Sequence, residues 1–71
     1  MISIYDNKQN IFELQVMLRR IHLANGTVGL INPDGLFGPE TRDAVVQAQR
    51  IAGLSETGSV DLETWSAIAA M

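Results

Sequence analysis

The chain has no cysteine. No disulfide framework and no thiolate metal site can staple it. Positive charge is scarce too: five Lys and Arg stand against eight Asp and Glu, for a net charge of −3. An acidic chain repels phosphate, so nucleic acid and anionic membrane surfaces are poor partners. The cations Lys8, Arg19, Arg20, Arg42 and Arg50 are scattered, and none follows residue 50. No apolar run is long enough to span a bilayer, so no membrane insertion is expected. The segment Met1-Ile2-Ser3-Ile4-Tyr5-Asp6 has neither a basic start nor a long apolar stretch, so it does not read as a signal peptide. Work at the cell envelope or outside the cell would then need a larger parent protein or separate export.

Catalytic groups are equally sparse. His22 is the sole histidine. It falls beside Leu18 and Ile21 on a helical wheel and reads as a packing residue. A metal site needs three or four ligands, and none cluster around it, so no metal and no cofactor are expected. No serine sits in a nucleophile-elbow pattern. The carboxylate pairs Glu40/Asp43 and Asp61/Glu63 are explained by helix N-termini, which favour anions. Asn32-Pro33-Asp34-Gly35 resembles part of a calcium loop only superficially. With Gly35 at the sixth position of an EF-hand, the first and twelfth become Leu30 and Thr41, and neither is a carboxylate. The chain is not expected to be an enzyme.

What the chain does have is helical patterning. Its 71 residues, 46% of them apolar, make one small domain in which most apolar side chains are needed for the core. Ile11, Leu14, Leu18 and Ile21 form one stripe, which predicts a first helix over about residues 8–24. Asn10 with Glu13, or Asp6 with Gln9, fits a capping box at its start. Asn25-Gly26 supplies the stop. A loop from Gly26 to Gly38 follows, with the turn signal Asn32-Pro33-Asp34-Gly35. Its apolar residues Val28, Leu30, Ile31, Leu36 and Phe37 predict a loop that packs on the helices, with room for a short extended stretch. A second helix is predicted from Pro39 to Ala52, with Thr41, Ala44, Val45, Ala48 and Ala52 on one face. Pro39 suits the first helical position, and Gly53 ends the helix. A third helix starts after Asp61 as N-cap. Its predicted apolar face is Leu62, Trp65, Ile68 and Ala69, with a Val60–Trp65 staple at the start. The expected fold class is all-α: a compact three-helix bundle with a long structured loop between helices 1 and 2. Residues 1–7 read as an N-terminal extension and residues 8–71 as the domain.

Two further patterns are present. Gly35 to Val45 and Gly58 to Ile68 share Gly-x-apolar-x-x-Glu-Thr-x-x-Ala-apolar, 23 residues apart. Either two helices begin with the same device, or a helix-turn-helix unit was duplicated. Gln15 and Gln49 interrupt apolar faces. Buried amides need partners, so each either satisfies irregular loop backbone or projects into a groove toward a ligand.

Leu14-Gln15-x-x-Leu18, Asp34-Gly35-x-Phe37-Gly38-x-x-Thr41-x-x-Ala44-Val45, and then Gln49, Gly53-Leu54, Gly58, Asp61, Thr64 and Trp65 together resemble the peptidoglycan-binding-domain family. The resemblance covers about residues 11–70. It implies a small three-helix module that recognises peptidoglycan, both glycan strand and stem peptide, and holds an associated protein such as a linked cell-wall hydrolase on the wall. It implies a bacterial or phage setting, a monomer, and no hydrolysis by the chain itself. Ligand contacts are expected on the Asp34–Thr41 loop and helix 2: Asp34, Gly35, Gly38, Thr41, Arg42, Gln47 and Gln49. Asp34 would pair with a stem-peptide amine, Arg42 or Arg50 with a carboxylate, and Gln47 with an amide. Trp65 would either join the core or stack on a sugar. One position departs from the family pattern. The residue before the helix-2 glutamine, usually an aromatic, is Ala48. Phe12, Met17, Ile51 and Trp65 are candidates to fill the space. The alternative function is a protein-interaction or pro-segment-like module that has lost wall binding, which would expose a contiguous apolar patch.

Overall fold

The computed structural model describes residues 7–26 and 28–71. Three helices form: α1 (Lys8–Asn25), α2 (Pro39–Ala52) and α3 (Leu62–Ala70). Each packs on both others, giving a compact all-α bundle with a long loop between α1 and α2. Leu14, Leu18, Ile21, Val28, Ile31, Ala44, Val45, Ala48, Val60 and Ile68 make one core cluster. No strand forms among the described residues.

The start of α1 differs from both predicted boxes. Asn7 is the N-cap, and its side-chain oxygen accepts the N–H groups of Gln9 at 2.9 Å and Asn10 at 3.3 Å. Its backbone is extended (φ −132°, ψ 107°), the conformation a cap requires. Asn10 therefore lies inside the helix. The Gln9 amide points forward to Glu13 rather than back to a cap. Asp6 and the Ile2–Tyr5 stretch lie outside the described residues. Gly26 closes α1 in a left-handed conformation, with its N–H on the His22 carbonyl. His22 is partly buried, as a packing residue would be, and its Nδ1–H donates to the Val28 carbonyl at 2.6 Å.

The loop packs as its apolar content predicts. Val28 and Ile31 are buried and Phe37 packs against the core, while Leu30 and Leu36 face solvent. On α2 the buried residues are Thr41, Ala44, Val45, Ala48 and Gln49. Ala52, predicted on that face, is exposed at the helix's end. On α3 the buried residues are Thr64 and Ile68. Leu62 and Ala69 are exposed. The predicted face was rotated because it counted only apolar side chains, whereas Thr64 must turn inward to meet Gln49, 3.1 Å away. Val60 is buried in the core and Trp65 packs partly buried against it. Of the four candidates to compensate Ala48, Met17 and Trp65 pack against the cluster that contains it, and Phe12 and Ile51 are left nearly half exposed.

Candidate functional site

Two buried amides organise the molecule. Gln15, 1% exposed, faces the turn before α2. Its Oε1 accepts the backbone N–H groups of Asp34 at 3.0 Å and Gly35 at 2.8 Å. Its Nε2 donates to Asp34 Oδ1, the Leu36 carbonyl and Thr41 Oγ1, at 2.9–3.0 Å. Gln49, 2% exposed, does the same one turn later. Its Oε1 accepts the Gly58 N–H at 3.0 Å. Its Nε2 donates to Thr57 Oγ1, the Ser59 carbonyl and Thr64 Oγ1, at 3.0–3.2 Å. Buried polar groups are stable only when paired, and no buried side-chain nitrogen or oxygen among the described residues lacks a partner.

The two clasps match bond for bond except at one donor: the Asp34 N–H goes to Gln15 Oε1, whereas the Thr57 N–H goes to the Ser55 carbonyl at 2.9 Å. Asp34 and Thr57, 23 apart, each take a glutamine N–H and the backbone N–H two residues on: Leu36 at 2.8 Å, Ser59 at 3.1 Å. Gly35 (φ 78°) and Gly58 (φ 74°) sit left-handed at the turn, where a side chain is strained. A long cation lies over each. A Cβ on Gly35 would come within 2.7 Å of the Lys8 stem, and one on Gly58 within 2.9 Å of the Arg42 stem. The sequence echo is thus one helix–clasp–helix unit used twice. It showed only in its second half because the first loop is longer: Gln15 precedes Gly35 by 20 residues, and Gln49 precedes Gly58 by 9.

A surface pocket opens above each clasp. The larger, about 480 Å³, lies between the Ile31–Asp34 stretch and the N-terminus of α2. Its polar groups come from Gln15, Asn32, Asp34, Glu40 and Thr41, and its apolar walls from Ile31, Leu36 and Pro39. The smaller, about 120 Å³, is lined by Gln49, Leu54, Ser55, Thr57, Asp61, Glu63 and Thr64. Apart from the glutamines, these residues hold the positions of Ile31, Asn32, Asp34, Gly38, Glu40 and Thr41, shifted by 23. The N–H of Leu36 and then the Gln15 amide, with a weaker pull from Lys8, hold the Asp34 carboxyl below the usual aspartate value of 3.8. The backbone N–H and then the hydroxyl of Thr64 do the same for Asp61. Both are ionised near neutral pH.

The residues expected to contact a ligand divide among these features. Asp34, Gly38 and Thr41 line the larger pocket. Gly35 lies in the turn beneath, with its N–H held by Gln15. Gln49 is buried in the second clasp and lines the smaller pocket. Gln47 Oε1 accepts the Gly29 N–H at 2.8 Å, pinning the long loop. Arg42 lies over Gly58. Arg50 is paired with Glu56, at 2.7 Å from Nη2 and 2.9 Å from Nε. Sequence reasoning did not single out Leu36, Pro39 and Glu40 within the Asp34–Thr41 loop it expected to carry contacts, and it missed Ile31 and Asn32 altogether. Glu40 had a sufficient explanation in the helix dipole, and nothing in one sequence places Asn32 opposite it.

Among the described residues no group of three or more His, Cys, Asp or Glu is placed to hold a metal ion. No helix there is long and apolar enough to cross a membrane. No curated protein and no solved structure matches the chain with statistical significance. A family profile does match, over residues 7–68, under the description "Putative peptidoglycan binding domain". That span takes in both clasps and both pockets, and the chain belongs to this family of non-catalytic peptidoglycan-binding modules.

Proposed function

We propose that the larger pocket is the place where this module holds peptidoglycan. The observation that carries the reading is the pocket's position and make-up. About 480 Å³ of open space sits on the Asp34–Thr41 turn, and the Gln15 clasp makes its floor rigid. Apolar walls at Ile31, Leu36 and Pro39 face the polar groups of Asn32, Asp34 and Glu40. A mixed lining of this kind suits a sugar or a short peptide, with apolar faces and many hydrogen-bonding groups. In this reading Asp34, Gly38 and Thr41 touch ligand, and Gly35, Gln47 and Gln49 hold the loops in shape. Arg42, exposed beside Gly58, meets a stem-peptide carboxylate outside the pocket.

The ligand then includes glycan strand and stem peptide. The module, residues 8–71 with an extension whose last residue caps α1, works as a monomer. It serves to keep a linked protein such as a cell-wall hydrolase at the envelope or outside the cell. Cosedimentation with purified sacculi tests the reading. The unsubstituted chain should pellet, and Leu36→Ala with Glu40→Gln should stay in solution while keeping its helical circular dichroism. Equal pelleting by the double variant would move the site elsewhere. No pelleting by the unsubstituted chain would favour a protein-interaction module that has lost wall binding.

A further inference from the structure

Gly38 and Asp61 hold equivalent places, 23 residues apart, in the two glutamine-clasped turns. They differ in what each offers the helix that follows. Asp61 Oδ1 accepts the Thr64 N–H at 2.8 Å and caps α3 with its own carboxylate. Gly38 has no side chain, and α2 starts with no side-chain cap bond. First-turn N–H groups have no acceptor within the helix. At α2 the matching donor is the N–H of Thr41, and Gly38, Glu40 and Thr41 all border the larger pocket. The second turn therefore displays, inside the molecule, an oxygen at a place the first turn leaves open.

Charge decides what kind of oxygen the open place accepts. The carboxylates of Asp34 and Glu40 line the same pocket, so a ligand carboxylate would meet two like charges. An ammonium group would suit the carboxylates but offer nothing to the helix N–H. A secondary amide satisfies both. Its carbonyl accepts from the Thr41 N–H. Its N–H donates to the Glu40 carboxylate or to Asp34 Oδ2, which takes no part in the bonds that Oδ1 makes to Gln15 and Leu36. Its small alkyl group lies against Ile31, Leu36 and Pro39.

We infer that the larger pocket binds a secondary amide, from an N-acetyl sugar or a peptide bond, with its carbonyl where the Asp61 carboxylate sits in the smaller pocket. The smaller pocket, capped by Asp61 and only about 120 Å³, is closed to the same ligand, so one chain takes one such group. This inference rests on the larger pocket being the wall-binding site.

The test puts into the first turn what the second already has. Gly38 is extended (φ −101°, ψ −174°), and a Cβ there would meet nothing within 4 Å. Gly38→Asn, neutral, and Gly38→Asp should both fold and cap α2 themselves. Binding is measured by isothermal titration with four probes: an N-acetylglucosamine tetramer, its deacetylated counterpart, a stem tetrapeptide and a whole muropeptide. High salt screens the attraction of free amines to Asp34 and Glu40. The unsubstituted chain should bind the acetylated tetramer or the tetrapeptide one to one, which also tells the two amide sources apart. The deacetylated tetramer should bind at least tenfold more weakly than the acetylated one if the sugar is the source, and Gly38→Asn should lose at least tenfold with melting temperature held or raised. If Gly38→Asn, still folded, binds the muropeptide as tightly as the unsubstituted chain, the inference fails and the wall-binding reading stands. It fails equally if the muropeptide binds but neither amide probe does. Absence of binding to the muropeptide and to intact sacculi alike would remove the reading itself, and the inference with it.

Discussion

Replacing Gln15 by methionine should cost the fold about 3 kcal/mol, and Gln49→Met should cost nearly the same. Methionine keeps the length and approximate volume of glutamine, so the change removes hydrogen bonds more than packing. At Gln15 two of the partners are buried, the Gly35 N–H and the Thr41 hydroxyl. At Gln49 they are the Gly58 N–H and the Thr64 hydroxyl. Each buried group left without a partner costs about 1–3 kcal/mol. The other partners lie nearer solvent, where water replaces the amide at small cost. Two stranded groups per site give about 2–6 kcal/mol, and we take about 3 because the turns can relax. A chain of this size is stable by about 4–11 kcal/mol, so either variant should be weakened without being abolished. Urea unfolding followed by circular dichroism measures it, with an unchanged slope required for the comparison. A loss below about 1 kcal/mol at either site would refute the clasp as a structural device. A difference between the sites above about 2 kcal/mol would refute their equivalence.

Other consequences follow from the same geometry. Gly35→Ala should destabilise by about 1–2 kcal/mol, from the left-handed backbone and the nearby Lys8 stem, and the urea midpoint reads it. Asp34 and Asp61 bind protons less readily folded than unfolded. Their contribution to stability is thus complete well above pH 3.8, and it is lost as pH falls below that value through the folded-state values. Asp34→Asn with Asp61→Asn should flatten the fall in urea midpoint between about pH 6 and about pH 3. Arg50→Ala should change stability by less than about 0.5 kcal/mol, because its ion pair with Glu56 is 68% and 43% exposed.

Helix number, the loop and most of the core were legible because they follow from apolar spacing and from Gly26, Pro39, Gly53 and Asp61 as boundaries. The first helix begins at Lys8, as the apolar spacing predicts, but its cap was misassigned: Asp6 and Asn10 satisfy the composition rule for a cap as well as Asn7 does, and only geometry selects Asn7. The face of α3 was misjudged for a different reason. Its orientation is set by a hydrogen bond between Thr64 and a glutamine on another helix, a long-range polar contact that periodicity does not encode. Gln15 and Gln49 stood out in sequence as interruptions of apolar faces. That they bind equivalent turns was hidden by the unequal loop lengths. The turn residues of the pocket, Asp34, Gly38 and Thr41, came from the motif. The opposing wall of Ile31 and Asn32 came only from the path of the loop.

Peptidoglycan held in the larger pocket, and not in its smaller copy, would leave a distinct footprint on the chain. A ¹⁵N NMR titration of the chain with soluble muropeptide reads that footprint residue by residue. Saturable shifts should centre on Asn32, Asp34, Leu36, Glu40 and Thr41, with Ser55, Thr57, Glu63 and Thr64 unmoved. Shifts centred on the second group, or on neither while the chain still pellets with sacculi, would contradict it.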